Sequence, residues 1–141
     1  MDHVGITVDD LAAAIDFFRE LGMELEGQAP VEGDWVDRVC GLDGVRVDMA
    51  MLRTPDGHSR LELTKFHSPI AVGSEPKNAP ANTLGIRNVM FAVDDIQDAV
   101  TRLRARGVQL IGDVVRYEDS YLLCYVRGPE GIIVALAEPL S

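Results

Sequence analysis

One internal repeat constrains this chain more than any other feature. Sliding the sequence by 85 positions (88 − 3) lays residues 3–27 over 88–112 without a gap. "HVGITVDD" meets "NVMFAVDD", so Val4 falls on Val89 and Val8-Asp9-Asp10 on Val93-Asp94-Asp95. Ala14 falls on Ala99, Arg19 on Arg104, Gly22 on Gly107 and Leu25 on Leu110. A second echo, Pro55-Asp56-Gly57 against Pro129-Glu130-Gly131, is offset by 74 (129 − 55), so the first copy carries extra residues between its helix and this turn. A duplication within 141 residues suits one compact domain, or two small modules sharing a core.

Each copy has the same local grammar. Val4, Ile6 and Val8 alternate with His3, Gly5 and Thr7, the period of a half-buried strand. Asp9 or Asp10 can cap the helix that follows, where a negative charge suits the helix dipole. Leu11, Ala14, Ile15, Phe18 and Leu21 then recur at helical spacing, and Gly22 stops the helix. The second copy repeats the scheme with Val89, Phe91 and Val93, then Ile96, Ala99, Val100 and Leu103, then Gly107. Strands are predicted near 23–29, 45–53 and 60–66 in the first half, and near 108–116, 121–127 and 132–138 in the second. The reading is α+β: two tandem βαβββ modules, 1–66 and 88–141, whose curved mixed sheet encloses a barrel-like cavity with the helices outside. Residues 67–87, rich in proline, glycine, serine and asparagine, form an irregular connector.

Strand alternation then sorts the faces. Val4, Ile6, Val8, Leu61 and Leu63 lie under the first helix, and His3, Gly5, Thr7, Glu62, Thr64 and Phe66 face the other way. In the second half Val89, Phe91, Val93, Ile132, Val134 and Leu136 lie under the helix. Asn88, Met90, Ala92, Ile133, Ala135 and Ala137 face away. If the two open faces line one cavity, His3 and Glu62 stand on one wall and Asn88 and Ala135 on the other.

Composition removes several classes of function. The formal net charge of −10 repels phosphate backbones and anionic membranes, so no nucleic-acid or membrane partner is expected. No apolar run reaches the roughly 18 residues of a membrane span. The start of the sequence enters a strand directly, without a signal-like segment, which points to the cytoplasm. Cys40 and Cys124 lack metal-type spacing and read as reduced, mostly buried thiols. Cys124 and Tyr125 fall in an apolar strand and read as core. There is no phosphate-binding glycine loop, nucleophile elbow or paired-cysteine zinc motif.

The paired modules, with "HVGITVDDL", "TPDGHSRLELTKF", "VMFAVDDI" and "RGPEGIIVALAE", resemble the vicinal oxygen chelate superfamily. This is the group of glyoxalases, bleomycin-resistance proteins and extradiol dioxygenases. The resemblance covers nearly the whole chain. It implies a cavity that holds a divalent metal (Zn, Ni, Mn or Fe), a substrate that chelates it through neighbouring oxygens, and often a homodimer. It also implies metal ligands on the first and last strands of each module, usually histidine first and glutamate last. Carried over by position, His3 and Glu62 match. Asn88 replaces the second histidine, and Ala135 stands where the second glutamate would be.

Two strong donors fall short of the three that catalytic zinc usually takes, and of the two histidines and a carboxylate of an iron oxygenase. An extradiol dioxygenase therefore does not fit. His58 lies in or beside a turn. His67, five positions after Glu62, is placed on the opposite face at the end of its strand. Without metal, Glu62 could act as general base on a proton next to a carbonyl, with His3 polarising the oxygen. Both residues also admit a plain reading, His3 as a partly solvated residue and Glu62 as a carboxylate paired with Arg60 or Lys65. Candidate ligand contacts are Trp35, Phe66, Asn88 and Met90, with Trp35 on the extra segment that could fold over the cavity mouth. Arg38 and Arg46 could meet an anionic substrate or pair at the surface. The leading expectation is a glyoxalase-like lyase or isomerase acting on a small oxygenated metabolite. The alternative is a metal-free protein of the bleomycin-resistance type that sequesters a small molecule.

Overall fold

The repeated pattern folds into two units with one shared topology. The computed structural model describes residues 1–74 and 76–140. The first unit ends at Gly73 and the second begins at Ser74. The first holds β1 (Val4–Thr7), α1 (Leu11–Glu20), β2 (Glu24–Glu32), α2 (Asp34–Cys40), β3 (Arg46–Arg53) and β4 (Arg60–Ser68). The second holds β5 (Asn88–Ala92), α3 (Ile96–Ala105), β6 (Val115–Tyr117), β7 (Tyr121–Arg127) and β8 (Ile133–Pro139), with a 3-10 turn at Pro129–Gly131. The strand orders are β1-β4-β3-β2 and β5-β8-β7-β6. In each sheet the first and last strands of the unit pair in parallel, and the other pairs are antiparallel. The fold is α+β, built on two open four-stranded mixed sheets, and neither closes into a barrel. No helix among the described residues is long and apolar enough to cross a membrane.

The helices start and stop for the reasons their sequences give. The Asp10 carboxylate accepts from Ala13 N at 3.0 Å, and Asp95 accepts from Asp98 N at 3.0 Å. Each satisfies one of the amide donors left open at a helix start. Gly22 and Gly107 follow the helices with φ of 95° and 85°, where a side chain would be strained. Helix α1 buries Leu11, Ala14, Ile15, Phe17 and Phe18, and packs on β2, β3 and β4. Leu52, Leu61 and Leu63 are buried in the first sheet. Helix α3 buries Ile96, Ala99, Val100 and Leu103 and packs on β8. Glu138 on β8 accepts from Ile96 N at 2.7 Å, tying that strand to the start of α3.

Several local expectations need correction. The extra segment of the first unit is ordered into α2, whose Val36 packs with Val45 and Val47, against Val31, Met49 and Phe66. Strand β2 runs on through Pro30, which is tolerated because β2 is an edge strand. Strand β4 continues to Ser68 and so includes His67. The strand expected near 108–116 is interrupted. Ile111 N bonds Tyr125 O at 2.9 Å, the chain bends at Ile111 and Gly112, and regular pairing restarts at Val115.

Strand β8 departs most from the expectation of an open face. Ile133, Ala135 and Ala137 are 2%, 0% and 5% exposed, so both faces of β8 are buried. Ala135 lies between Met90 and Tyr125, and Ala137 lies between Ala92 and Leu123. Ile132 precedes the strand as the residue closing the 3-10 turn. Part of the connector is also anchored: Arg127 donates to Ala79 O at 2.8 Å and to Gly131 O at 2.9 Å. A side chain at Gly131 would strike the Lys77 carbonyl and Asn78, so this close approach requires glycine. Both cysteines are free, but Cys40 is exposed at the end of α2 and only Cys124 is buried. Tyr125, expected in the core, stands 36% exposed on the face away from Cys124.

Candidate functional site

The open face of the first sheet brings His3 and Glu62 together. Glu62 sits in β4 with Gly5 and Met51 as its neighbours on β1 and β3, and Met51 in turn faces Gly27 on β2. Alternation turns Leu61 and Leu63, both buried, to the helix side and leaves Glu62 on the open side. His3 precedes Val4 and shares the side of Gly5. Its Nε2 lies 3.5 Å from Glu62 Oε2, with the two side chains 32% and 24% exposed. A Cβ built on Gly5 would meet nothing within 4 Å, so there is open room next to the glutamate.

The neighbours of the pair differ from the plain reading. Lys65 pairs with Asp9 at 3.4 Å, not with Glu62. Arg60 lies 3.8 Å from Asp2 and 3.6 Å from Glu26. Asp2 Oδ2 stands 2.7 Å from His3 Nδ1. Acidic and basic side chains therefore alternate in the order Glu26, Arg60, Asp2, His3, Glu62. The His3 hydrogen bond, and after it the Arg60 guanidinium, hold the Asp2 carboxyl below the usual carboxylate range. A carboxylate only accepts, so Nδ1 of His3 must donate to Asp2. Nε2 is left pointing at a second carboxylate. A proton shared between Nε2 and Oε2, or a donor on a bound molecule, is what this geometry accommodates.

The geometry can be tested against a metal. Two donors on one tetrahedral zinc, each at about 2.1 Å, stand about 3.4 Å apart. The separation of His3 and Glu62 matches that spacing. However, no group of three or more His, Cys, Asp or Glu side chains placed to hold a metal ion occurs among the described residues. The donors present do not make up a three-ligand centre, and the chemistry below rests on the side chains themselves.

In the second unit the corresponding row reads Met90, Ala135, Tyr125. Ala135 is the positional match of Glu62, since Met90 pairs with Ala135 as Gly5 pairs with Glu62. That offset is 73 (135 − 62), one less than the offset of the preceding turns, because the second hairpin loop is one residue shorter. Arg53 pairs with Arg60 across the first loop, and Arg127 with Ile133 across the second. Asn88 is exposed at the start of β5, and Met90 is 54% exposed.

The other candidates gather elsewhere. Phe66 packs against the Val36 cluster at the α2 end of the first sheet. Trp35, 61% exposed, borders a separate hollow of about 620 Å³ with Val31, Val47, Arg46, Asp48 and His67. That hollow includes neither His3 nor Glu62. His67 is engaged with Asp48 at 2.8 Å, and Arg38 faces Asp34 at 3.9 Å. His58 N donates to Asp56 in the β3–β4 turn, as the sequence reading implied. Burial pushes the Cys124 thiol up, away from reactive thiolate.

Sequence reasoning missed Asp2, Arg60 as its anchor, and the room at Gly5. Alternation argues against contact between adjacent residues. Asp2 and His3 precede β1, however, where the strand rule does not hold.

Comparison with known proteins places this chain in a family. The family model for the Glyoxalase/Bleomycin resistance protein/Dioxygenase superfamily matches residues 1–136. A glyoxalase family protein from Bacillus cereus superposes with a TM-score of 0.96 at 52% identity, covering 100% of this chain and 94% of that one. The uncharacterized protein YwbC of Bacillus subtilis (strain 168) is 28% identical over 134 residues, 93% of this chain and 90% of YwbC. A 2-epi-5-epi-valiolone epimerase from an Actinomyces species is 34% identical over 123 residues, 84% of this chain but 65% of the epimerase. Match along almost the whole chain, on a paired βαβββ topology, makes this protein a member of the Glyoxalase/Bleomycin resistance protein/Dioxygenase superfamily.

Proposed function

We propose that this protein is an isomerase or lyase that moves a proton next to the carbonyl of a small oxygenated metabolite. The supporting observation is His3 Nε2 facing Glu62 Oε2 at 3.5 Å, beside the open room at Gly5. Glu62 takes the proton from carbon. The C–H electron pair passes into the carbonyl to give an enolate, whose oxygen receives a hydrogen bond from Nε2–H of protonated His3. Return of a proton to carbon completes isomerisation, and expulsion of a group on the next carbon completes a lyase reaction. Likeness to an epimerase favours the first outcome.

The test is exchange of solvent deuterium into 2-epi-5-epi-valiolone and a panel of small hydroxyketones, read by NMR. Glu62→Gln should lower the exchange rate by roughly 10²- to 10⁴-fold, the usual contribution of a positioned base. Exchange at the original rate would remove Glu62 from that role. Titration of metal-stripped protein with Zn, Ni, Mn and Fe runs beside it. Tight 1:1 binding lost in both His3→Ala and Glu62→Ala would replace proton transfer by the pair with a metal-held substrate.

The second reading is metal-free sequestration of a small apolar compound. Ala135 and Met90, in place of an acid and open space, favour it. Tight binding without any deuterium exchange would select it. A homodimer belongs to either reading. Ile70, Val72, Leu84 and Ile86 are 83–95% exposed, and a second copy would cover them. A monomer in analytical ultracentrifugation at micromolar concentration would count against it.

A further inference from the structure

We infer that Asp2 is a positioning residue that fixes the ring orientation and proton placement of His3; this rests on the proposed proton-transfer role of His3 and Glu62. Three contacts define the arrangement. Asp2 Oδ2 lies 2.7 Å from His3 Nδ1, Asp2 Oδ1 lies 3.8 Å from Arg60 Nη1, and His3 Nε2 lies 3.5 Å from Glu62 Oε2. Strand β4 thus controls both sides of the imidazole. Glu62 meets Nε2 directly, and Arg60, two residues earlier on the same face, holds the carboxylate that meets Nδ1. Arg60 is itself steadied by Glu26 at 3.6 Å.

The physical consequence concerns the neutral ring. A neutral imidazole carries one proton, and an acceptor at Nδ1 draws it there. Nε2 is then the free lone pair, aimed at Glu62 and the room beside Gly5. Protonation adds the second hydrogen at Nε2, where the enolate oxygen of the proposed reaction needs a donor. Without Asp2, the neutral ring would favour its proton on Nε2, as free histidine does, but the ring would lose one of its two anchors and its Nε2 donor would no longer be held in line with the enolate oxygen, which is what lowers the rate. A carboxylate behind a working histidine commonly has this role. Asp2 does not touch the substrate and is not a catalytic residue.

The experiment uses the full chain and three variants, Asp2→Ala, Asp2→Asn and His3→Gln. Long-range ¹H–¹⁵N spectra are recorded well above the ordinary imidazole titration range. The protein has three histidines, and His3→Gln assigns the signal of interest. The wild type should show the Nδ1–H form. Asp2→Asn should keep it, because the amide oxygen still accepts. Asp2→Ala should shift it toward Nε2–H. In the deuterium-exchange assay, Asp2→Ala should lower kcat about tenfold with KM unchanged, and Asp2→Asn should restore most of the rate. An Nε2–H ring in the wild type, or identical spectra for wild type and Asp2→Ala, would overturn the inference. So would a tautomer shift with unchanged kcat. Failure of the underlying reading looks different: exchange would then be indifferent to His3→Gln and Glu62→Gln as well, whatever the spectra show.

Discussion

The two units share strand order, pairing and helix caps, yet they present different chemistry at matching positions. In the first, the row across the open face runs Gly5, Glu62, Met51, Gly27. In the second it runs Met90, Ala135, Tyr125. An acid with open room on one side, at Gly5, is matched by a methyl group with Met90 and Tyr125 on its two sides. All three histidines and the one tryptophan lie in the first unit, and all three tyrosines in the second. The position after the duplicated strand core also diverges: Lys65 reaches Asp9 by an ion pair, whereas Glu138 bonds the backbone at the start of α3. The positions that pack the helix onto the sheet therefore match in the two units, and those on the other face differ: Glu62 is partly exposed, whereas Ala135 is buried.

The largest expected effect comes from forcing the second unit to copy the first. Ala135→Glu should destabilise the second unit by about 4–8 kcal/mol, from an unpaired buried charge and overpacking together. Tyrosine fluorescence reports that unit and Trp35 the first, so urea unfolding can be followed separately in each. Near-wild-type tyrosine unfolding would mean that the alanine site has room for a carboxylate, and the contrast drawn above would fail.

Next in size is the shared core. Leu63 and Leu136 occupy matching positions (offset 73, 136 − 63), and both are 0% exposed. Leu63→Ala and Leu136→Ala should each cost about 2–5 kcal/mol in their own unit. A cost below about 1 kcal/mol at either site would show that the two cores are not equivalent.

Smallest are the helix caps. Asp10→Ala and Asp95→Ala should each cost about 1 kcal/mol, the usual price of a lost N-cap. Thermal unfolding read by circular dichroism would measure both. A clear difference between them would show that the second cap is backed up by Glu138, which has no counterpart in the first unit.

Much of this was legible in the sequence. The repeat, the strand alternation and the capping aspartates gave the topology, because each is a local property with a fixed period. The assignment of Ala135 as the match of Glu62 also came from alternation, although the turns alone would point one residue further on. Helix α2 was less legible: seven residues bracketed by Gly33 and Gly41 are too short for helical periodicity to stand out. Trp35 was expected to fold over the cavity mouth with the extra segment; α2 places it beside a hollow whose lining does not include His3 or Glu62. The open face expected on β8 was misread because alternation reports which way a side chain points, not how much of it stays exposed.

The sequence by itself determined the duplicated α+β topology, the presence of Asn88 and Ala135 at the second copy's matches of His3 and Glu62, and the pairing of His3 with Glu62 on one face. Those follow from short-range periodicity. The tertiary structure alone decided the contact of Asp2 with His3, the anchoring of Asp2 by Arg60, the room beside Gly5 and the burial of Ala135. The Asp2–His3 contact depends on how the chain enters β1, outside the strand rule; the others depend on strands far apart in sequence set next to one another by sheet register, and register is a property of the folded sheet rather than of any one segment.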